Sequence, residues 1–452
     1  MKNRLKNVVI FILVIALLGV LVACNDSNSN GNGSHGNGIY DKPYICDIAE
    51  EEVLEDGEIS TIGQLAWLRN RVNEGERFSN KTFTLANDIS LNGKEWIPIG
   101  VYTGTIKQMI EAFEPETELE LPNYFAGEFD GNGKKITDFK ITHRYTYAGF
   151  FGRNAGTIKD LTLEGVNVNI GVDHGKGGAR QEFHQNENMV MVWAGGLTGQ
   201  NYGTIDKCTV KGSVKVSVKN VGEHSFALAG GIVGVNWKHG IIKNSTSHIN
   251  AEAISDMESA SGSFGGGSYG KIESSRATGN AQSKAFSHAY AGGFIARNHG
   301  RVETCQAEGN ATATTESLSG ITQNFAFAGG LIAGSWANST VENSRAFGKA
   351  EANASCDILG NIETLAGAYA YAGGIIGVLQ GKIIKSDSFG TAIAVSTTLA
   401  SAGGVVGQLE TWKAEMLGTQ IIDCEGGVSF TATAPFAYEG EMFGRHIIEY
   451  YI

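Results

Sequence analysis

The sequence predicts an all-β fold, a parallel β-helix with one short helix near its N-terminal end. Three observations carry this expectation. The chain has 62 Gly and 5 Pro in 452 residues, roughly twice the usual Gly share and a fifth of the usual Pro share. A Gly-rich phrase recurs along its C-terminal two thirds. The residues before each copy alternate bulky and small, the period of a strand. Collagen would need Gly at every third place and abundant Pro. Disorder is excluded by 42% hydrophobic and 18% charged residues. The prolines are Pro43, Pro98, Pro115, Pro122 and Pro435, so residues 123–434 hold none. Such a span suits strands in which every N–H is used.

Taken from the N-terminus, Lys2, Arg4 and Lys6 precede an apolar run from Val8 to Val22. The run is short of the ~20 residues that span a bilayer. Leu21-Val22-Ala23-Cys24 resembles the bacterial lipobox, which implies cleavage after Ala23 and a diacylglycerol on Cys24. Residues 1–23 are thus expected to be a lipoprotein signal peptide. Residues 24–38, the lipidated Cys and NDSNSNGNGSHGNG, form a flexible tether with a reach of ~20 Å. Residues 39–80 form an N-terminal cap. In it Thr61 to Gln64 fits a capping box, Leu65, Leu68 and Val72 share one helix face, and Gly75 is the stop. Residues 81–146 are lead-in coils with an acidic insertion at 101–124. Residues 147–452 are the repeat array.

The repeated phrase is Ala-Gly-Gly, two apolar residues and Gly, as in Ala229-Gly230-Gly231-Ile232-Val233-Gly234. Its second Gly stands at 196, 231, 293, 330, 374 and 404, with degraded copies at Phe264–Gly267 and Gly440–Gly444. Counting the degraded copy at Gly266, the unit is ~35 residues with variable insertions, a solenoid signature. A second phrase follows each first one, such as Val302-Glu303-Thr304-Cys305 or Val341-Glu342-Asn343-Ser344. It places Cys208, Cys305 and Cys424 at one repeat position with Ser245, Ser275, Ser344 and Ser386, so these cysteines read as an inward ladder of small side chains. Cys46 and Cys356 lie outside it. Before each Ala-Gly-Gly stand pairs such as His288/Tyr290, Phe325/Phe327 and Tyr369/Tyr371, separated by Ala.

These phrases resemble the GLUG repeat of bacterial surface and secreted proteins over roughly residues 81–445. The lead-in Leu85–Leu91, Trp96–Gly100 and Phe125–Ile136 also fits the usual opening of such arrays. The resemblance implies a right-handed parallel β-helix and an adhesin-like surface protein. Related repeats accompany some zinc metallopeptidases, but no His-Glu-x-x-His occurs here, so that chemistry is not carried over.

Asp130-Gly131-Asn132-Gly133 lacks the further ligands of a calcium loop and reads as a tight turn. The insertion 171–190 carries Asp173, His174, Glu182, His184 and Glu187 in no metal-ligand spacing. Asp206, Glu303, Glu342 and Asp423 are scattered through the second phrase, each replaced by Lys or another residue in neighbouring copies, and read as a charged outer face rather than the carboxylate cluster of a glycan-active enzyme. No metal, cofactor or catalytic residue is expected. Trp193, Tyr290, Phe327 and Tyr371 form columns. Facing out, they would make a ligand-binding platform for sugars or apolar partners. Facing in, they would be core ladders.

The functional expectation is a lipid-anchored envelope protein, on the outer membrane if the cell is Gram-negative. It would serve adhesion or glycan or protein binding without catalysis. A polysaccharide-active β-helix lyase or hydrolase and a passive structural surface protein are the alternatives. The net charge of −12 argues against a nucleic-acid partner.

Overall fold

The computed structural model describes residues 48–53, 57–101, 123–173, 189–219, 224–316, 323–356, 367–411, 419–426, 429–440 and 443–448. Cys24, the signal segment, the tether and Cys46 lie outside them. So do most of the two insertions. The described residues fall in one compact unit, Ile45–Tyr102 with Asn123–Ile452.

That unit is a parallel β-helix. A full coil visits four sheets and returns one strand spacing further on. Sheet 1 runs from Glu58–Ile59 to Gln420–Ile422 in 11 strands, and sheet 2 has 15. Sheets 3 and 4 have nine each, beginning at Tyr147–Ala148 and Phe151–Asn154. One coil illustrates the path. His288–Gly292 lies in sheet 3, Ile295–Asn298 in sheet 4, Arg301–Glu303 in sheet 1, and Gln306–Ala307 with Ala311–Glu316 in sheet 2. Neighbouring coils pair in parallel at matched repeat positions: His288 opposes Glu258 and Phe325, and Tyr290 opposes Ala260 and Phe327. The degraded phrase at Phe264–Gly267 therefore belongs to a full coil. At ~4.8 Å per spacing, 11 strands in sheet 1 make a stack of ~48 Å.

The sheet 3 to sheet 4 bend explains the Ala-Gly-Gly phrase. A Cβ on Gly293 would lie 2.1 Å from the carbonyl oxygen of Gly330 in the next coil. Backbone of one coil thus occupies the space a side chain would need in its neighbour. Gly171, within the strand Thr162–Asp173, has nothing within 4 Å of its notional Cβ.

The sheet 1 to sheet 2 corner explains the second phrase. Lys207, Asn244, Ser274, Thr304, Asn343, Lys385 and Asp423 all have φ between 47° and 56°, a left-handed conformation that costs roughly 1–2 kcal/mol for a residue with a side chain. The small residue after each one ties the corner together. The Ser344 hydroxyl donates to the Glu342 carbonyl at 2.9 Å and accepts the Cys305 N–H of the preceding coil at 3.0 Å. Ser245 does the same toward Lys243 and Cys208 at 2.8 and 3.1 Å. At Cys305 the thiol reaches the Glu303 carbonyl at 3.2 Å. The Cys/Ser ladder is therefore a hydrogen-bonded column, and burial pushes the Cys208 and Cys305 thiols up to about 12. Cys356, outside this ladder, is half-buried, and its N–H donates to Thr397 at 3.1 Å.

The helix α1, Ile62–Asn73, lies between the first two strands of sheet 1. Its capping box is formed by Thr61 and Gln64, and Gly75 follows with φ 108°. Leu65, Leu68 and Val72 are fully buried in one cluster with Phe83, Phe125 and Phe129 of the first coils. The β-stack itself starts at Glu58, within the expected cap segment, because Glu58–Ile59 pairs with Thr84–Leu85.

The close approach at the bend makes a direct prediction. Gly293→Ala should lower stability by several kcal/mol, on the order of other overpacking changes or more, while Gly171→Ala should stay within about 0.5 kcal/mol. Urea denaturation of the two variants measures the contrast. At the other corner, Thr304→Gly removes a β-branched side chain from a left-handed φ and should raise the thermal midpoint.

Candidate functional site

The aromatic columns are buried, and the ligand platform expected at Trp193, Tyr290, Phe327 and Tyr371 is thereby corrected. These residues are 6, 7, 7 and 4% exposed. They are not inner core either. Ala289, Ala291, Ala326, Ala328, Ala370 and Ala372, one residue away along the same strands, pack with Ala311, Ala313, Ala350 and Ala352 of sheet 2 inside the coil. Period two places the aromatic rings on the opposite, outward face. There they are covered, because the outer faces of sheets 3 and 4 meet at a corner. The Arg297 guanidinium, on sheet 4, lies 5.2 Å from both the Tyr290 and Trp336 ring centres. Within the column the rings stack, with Tyr290–Phe327 at 4.8 Å and Phe327–Tyr371 at 5.5 Å.

What covers this corner is a second row of rings at the end of sheet 4. Tyr202, Trp237, Tyr269, His299 and Trp336 occupy one repeat position and stack at 5.9, 5.1, 4.5 and 4.9 Å with interplanar angles of 8–18°. Each follows a buried Asn or Ser of a ladder beneath. Asn154 donates to Asn201 and Asn201 to Asn236, both at 2.8 Å, and Asn298 donates to Ser335 at 3.2 Å. The ladder fixes the turn, and the turn directs the ring back over sheet 4. Tyr269 is 40% exposed and the other four rings are half-buried. This row is the candidate site.

The middle of the row covers a buried ion pair. Arg297 bonds to Glu258, whose carboxylate is 5% exposed. Room for it comes from the coil that looked degraded, which carries Ala260 and Gly267 where the next coil carries Tyr290 and Arg297 and the preceding one Leu228 and Val235. Burial pushes the Tyr202 phenol up to about 12, and burial, with Arg297 nearby, pushes His299 down to about 3. His299 therefore sits in the stack as a neutral ring. Its Nε2 is buried without a hydrogen-bond partner among the described residues. Burial lowers His288 as well.

Beside the row, sheet 1 carries the recurring carboxylates. They form ion pairs between coils, Asp206 with Lys243 at 3.6 Å, Glu303 with Lys271 at 3.7 Å and Glu342 with Arg301 at 2.9 Å, and Glu303 also pairs with Arg301 of its own strand at 3.2 Å. The Asp130 motif is a turn. Its carboxylate accepts the Asn132 N–H at 2.7 Å and pairs with Lys159 at 3.2 Å. Among the described residues no group of three or more His, Cys, Asp or Glu is placed to hold a metal. In the 171–190 insertion, His174, Glu182, His184 and Glu187 lie outside the described residues.

Sequence reasoning missed the row itself. The available signal was an aromatic residue directly after the Asn or Ser that ends each sheet 4 strand, with Gly after it in Asn201-Tyr202-Gly203, Ser268-Tyr269-Gly270 and Asn298-His299-Gly300.

Comparisons with known proteins add little to this geometry. No protein-family model matches the chain. A curated relative from Evansella cellulosilytica, named "Putative Gly-rich membrane protein", is 25% identical over 221 residues, which cover 46% of this chain and 19% of the relative. The match thus spans about a fifth of that relative's length. A solved structure, titled as a putative immunoglobulin A1 protease from Bacteroides ovatus, aligns with a TM-score of 0.41 at 20% identity, over 70% of this chain and 77% of that one.

The depressed His299 yields a pH prediction. Its folded value lies below the unfolded one of 6.5, so its stabilising contribution is complete above that value and is lost as pH falls toward about 3. His299→Phe keeps a ring in the stack and removes the titration. Thermal melts at pH 7 and pH 4 should show a smaller acid-induced fall in the variant than in the parent.

Proposed function

We propose that this chain is a lipid-anchored envelope protein of the GLUG-repeat type. Its β-helix serves adhesion or ligand binding, without catalysis, along the row Tyr202–Trp237–Tyr269–His299–Trp336. The observation that carries the binding reading is the row. Five stacked rings in five successive coils stay partly exposed, while the aromatic column behind them is sealed. A line of equivalent positions suits a ligand that is itself extended. The envelope reading is supported by the lipobox ending at Cys24, by the polar tether after it, and by the word membrane in the name of the Evansella relative. Among the described residues no helix is long and apolar enough to cross a membrane.

Two measurements test this. Cys24→Ala should move the protein out of the membrane fraction and abolish labelling by a fatty-acid probe; retention with labelling would overturn the anchor. On an array of glycans and extracellular proteins, the parent should be retained on at least one class, and Tyr269→Ala/Trp336→Ala should reduce that retention about tenfold or more. Equal retention by the double variant, with its fold confirmed by circular dichroism, would remove the row from the account.

A further inference from the structure

We infer that the ligand of the row is a neutral, linear polysaccharide lying along the stack of coils. The inference rests on the binding reading above and adds a substrate class to it.

The first observation is the orientation of the rings. Neighbouring rings in the row lie 4.5–5.9 Å apart and within 18° of parallel. Their faces are therefore occupied by each other, and what reaches solvent is ring edge. An aromatic edge carries the positive end of the ring quadrupole. It suits oxygen atoms rather than another π face. Nucleobases, which bind single-stranded sites by stacking on open faces, find no such face between these rings.

The second observation is the strip of sheet 1 beside the row. Two residues after Tyr269 stands Lys271 and two after His299 stands Arg301; the Trp336 coil has Thr340 at this position, and the coil after it, with Gln380 in the row, has Lys382. One further strand step out on the same face stand Glu273, Glu303 and Glu342. The strip therefore presents a column of donors beside a column of acceptors. Arg301 is 51% exposed and its partners Glu303 and Glu342 are 27% exposed, so both signs remain within reach of a ligand. Because the two columns pair with each other, the strip carries little net field, and the whole chain is acidic at −12. A polyanion gains nothing from such a surface. Hydroxyl groups, each both donor and acceptor, can bond to either column.

The third observation is the repeat. Ring and carboxylate recur at coil spacing, ~4.8 Å, from Tyr269 to Trp336, with a donor between them in each coil: Lys271, Arg301 and the hydroxyl of Thr340. A polymer of like units can use the same contact several times, and weak contacts then add through multivalency.

Affinity electrophoresis of the full chain tests the inference, in gels containing soluble hydroxyethylcellulose, galactomannan, polygalacturonate or polyuridylate. The expected result is retardation by at least one of the two neutral polysaccharides and by neither polyanion. Lys271→Gln/Arg301→Gln should weaken that retardation about three- to tenfold, and Tyr269→Ala/Trp336→Ala about tenfold or more. Retardation by polygalacturonate or polyuridylate but by neither neutral polymer would overturn the inference while leaving the row in place, provided the ring variant loses it. Retardation by none of the four would also overturn it, and the row would then stand or fall on the array. Neutral binding that survives the ring variant would overturn both the inference and the placement of the site.

Discussion

The contact on which the structure depends is the backbone-to-backbone approach of successive coils at the bend between sheets 3 and 4. Gly293 donates its N–H to Gly329 at 3.0 Å, Gly330 to Gly373 at 3.1 Å, and Gly374 to Gly403 at 3.0 Å. Side chains are excluded there by the next coil's carbonyl oxygens. Gly404 continues the series with a bond to Gly440 at 3.0 Å, and these bonds hold the register of the successive coils. Every column in the molecule follows from it: the alanines inside, the serines and cysteines at one corner, the asparagines at another, and the rings outside. It also accounts for the missing prolines, since each would delete one coil-to-coil hydrogen bond.

The bend has a consequence for packing. Folding sheet 3 sharply against sheet 4 brings two outer faces together and creates a second hydrophobic layer outside the coil. Tyr147, Trp193, Tyr290, Phe327 and Tyr371 fill it. Its open side is closed by the stacked row, with Arg297 and Glu258 compensating each other underneath. A buried pair of this kind adds little net stability but penalises the loss of either partner. Where one coil gives up bulk, at Ala260 and Gly267, a neighbour's arginine uses the space.

Much of the fold was legible in the sequence, because a repeat read seven or eight times over averages out local ambiguity. The Gly phrase marked the bend, the Ser/Cys position marked the corner, and Thr61 with Gln64 marked the start of α1. The site was not legible to the same degree. Period two shows that Tyr290 and Ala291 point to opposite sides, but a strand buried on both faces does not say which side is inside. The assumption that outward means exposed failed at this concave corner. The row escaped notice for a different reason. Its members are chemically mixed, Tyr, Trp, Tyr, His and Trp, and each stands alone in a turn. Only the register of the coils brings them within 6 Å of one another.

Residue-resolved amide hydrogen exchange on the folded protein tests the central claim most directly. Because the bend amides are hydrogen-bonded from coil to coil in a closely packed stack, Gly293, Gly330 and Gly374 should fall in the slowest class and exchange only through global unfolding. They should stay protected although they lie in turns rather than within strands. Exchange of these three amides at rates typical of exposed loops, while the flanking strands remain protected, would contradict the account.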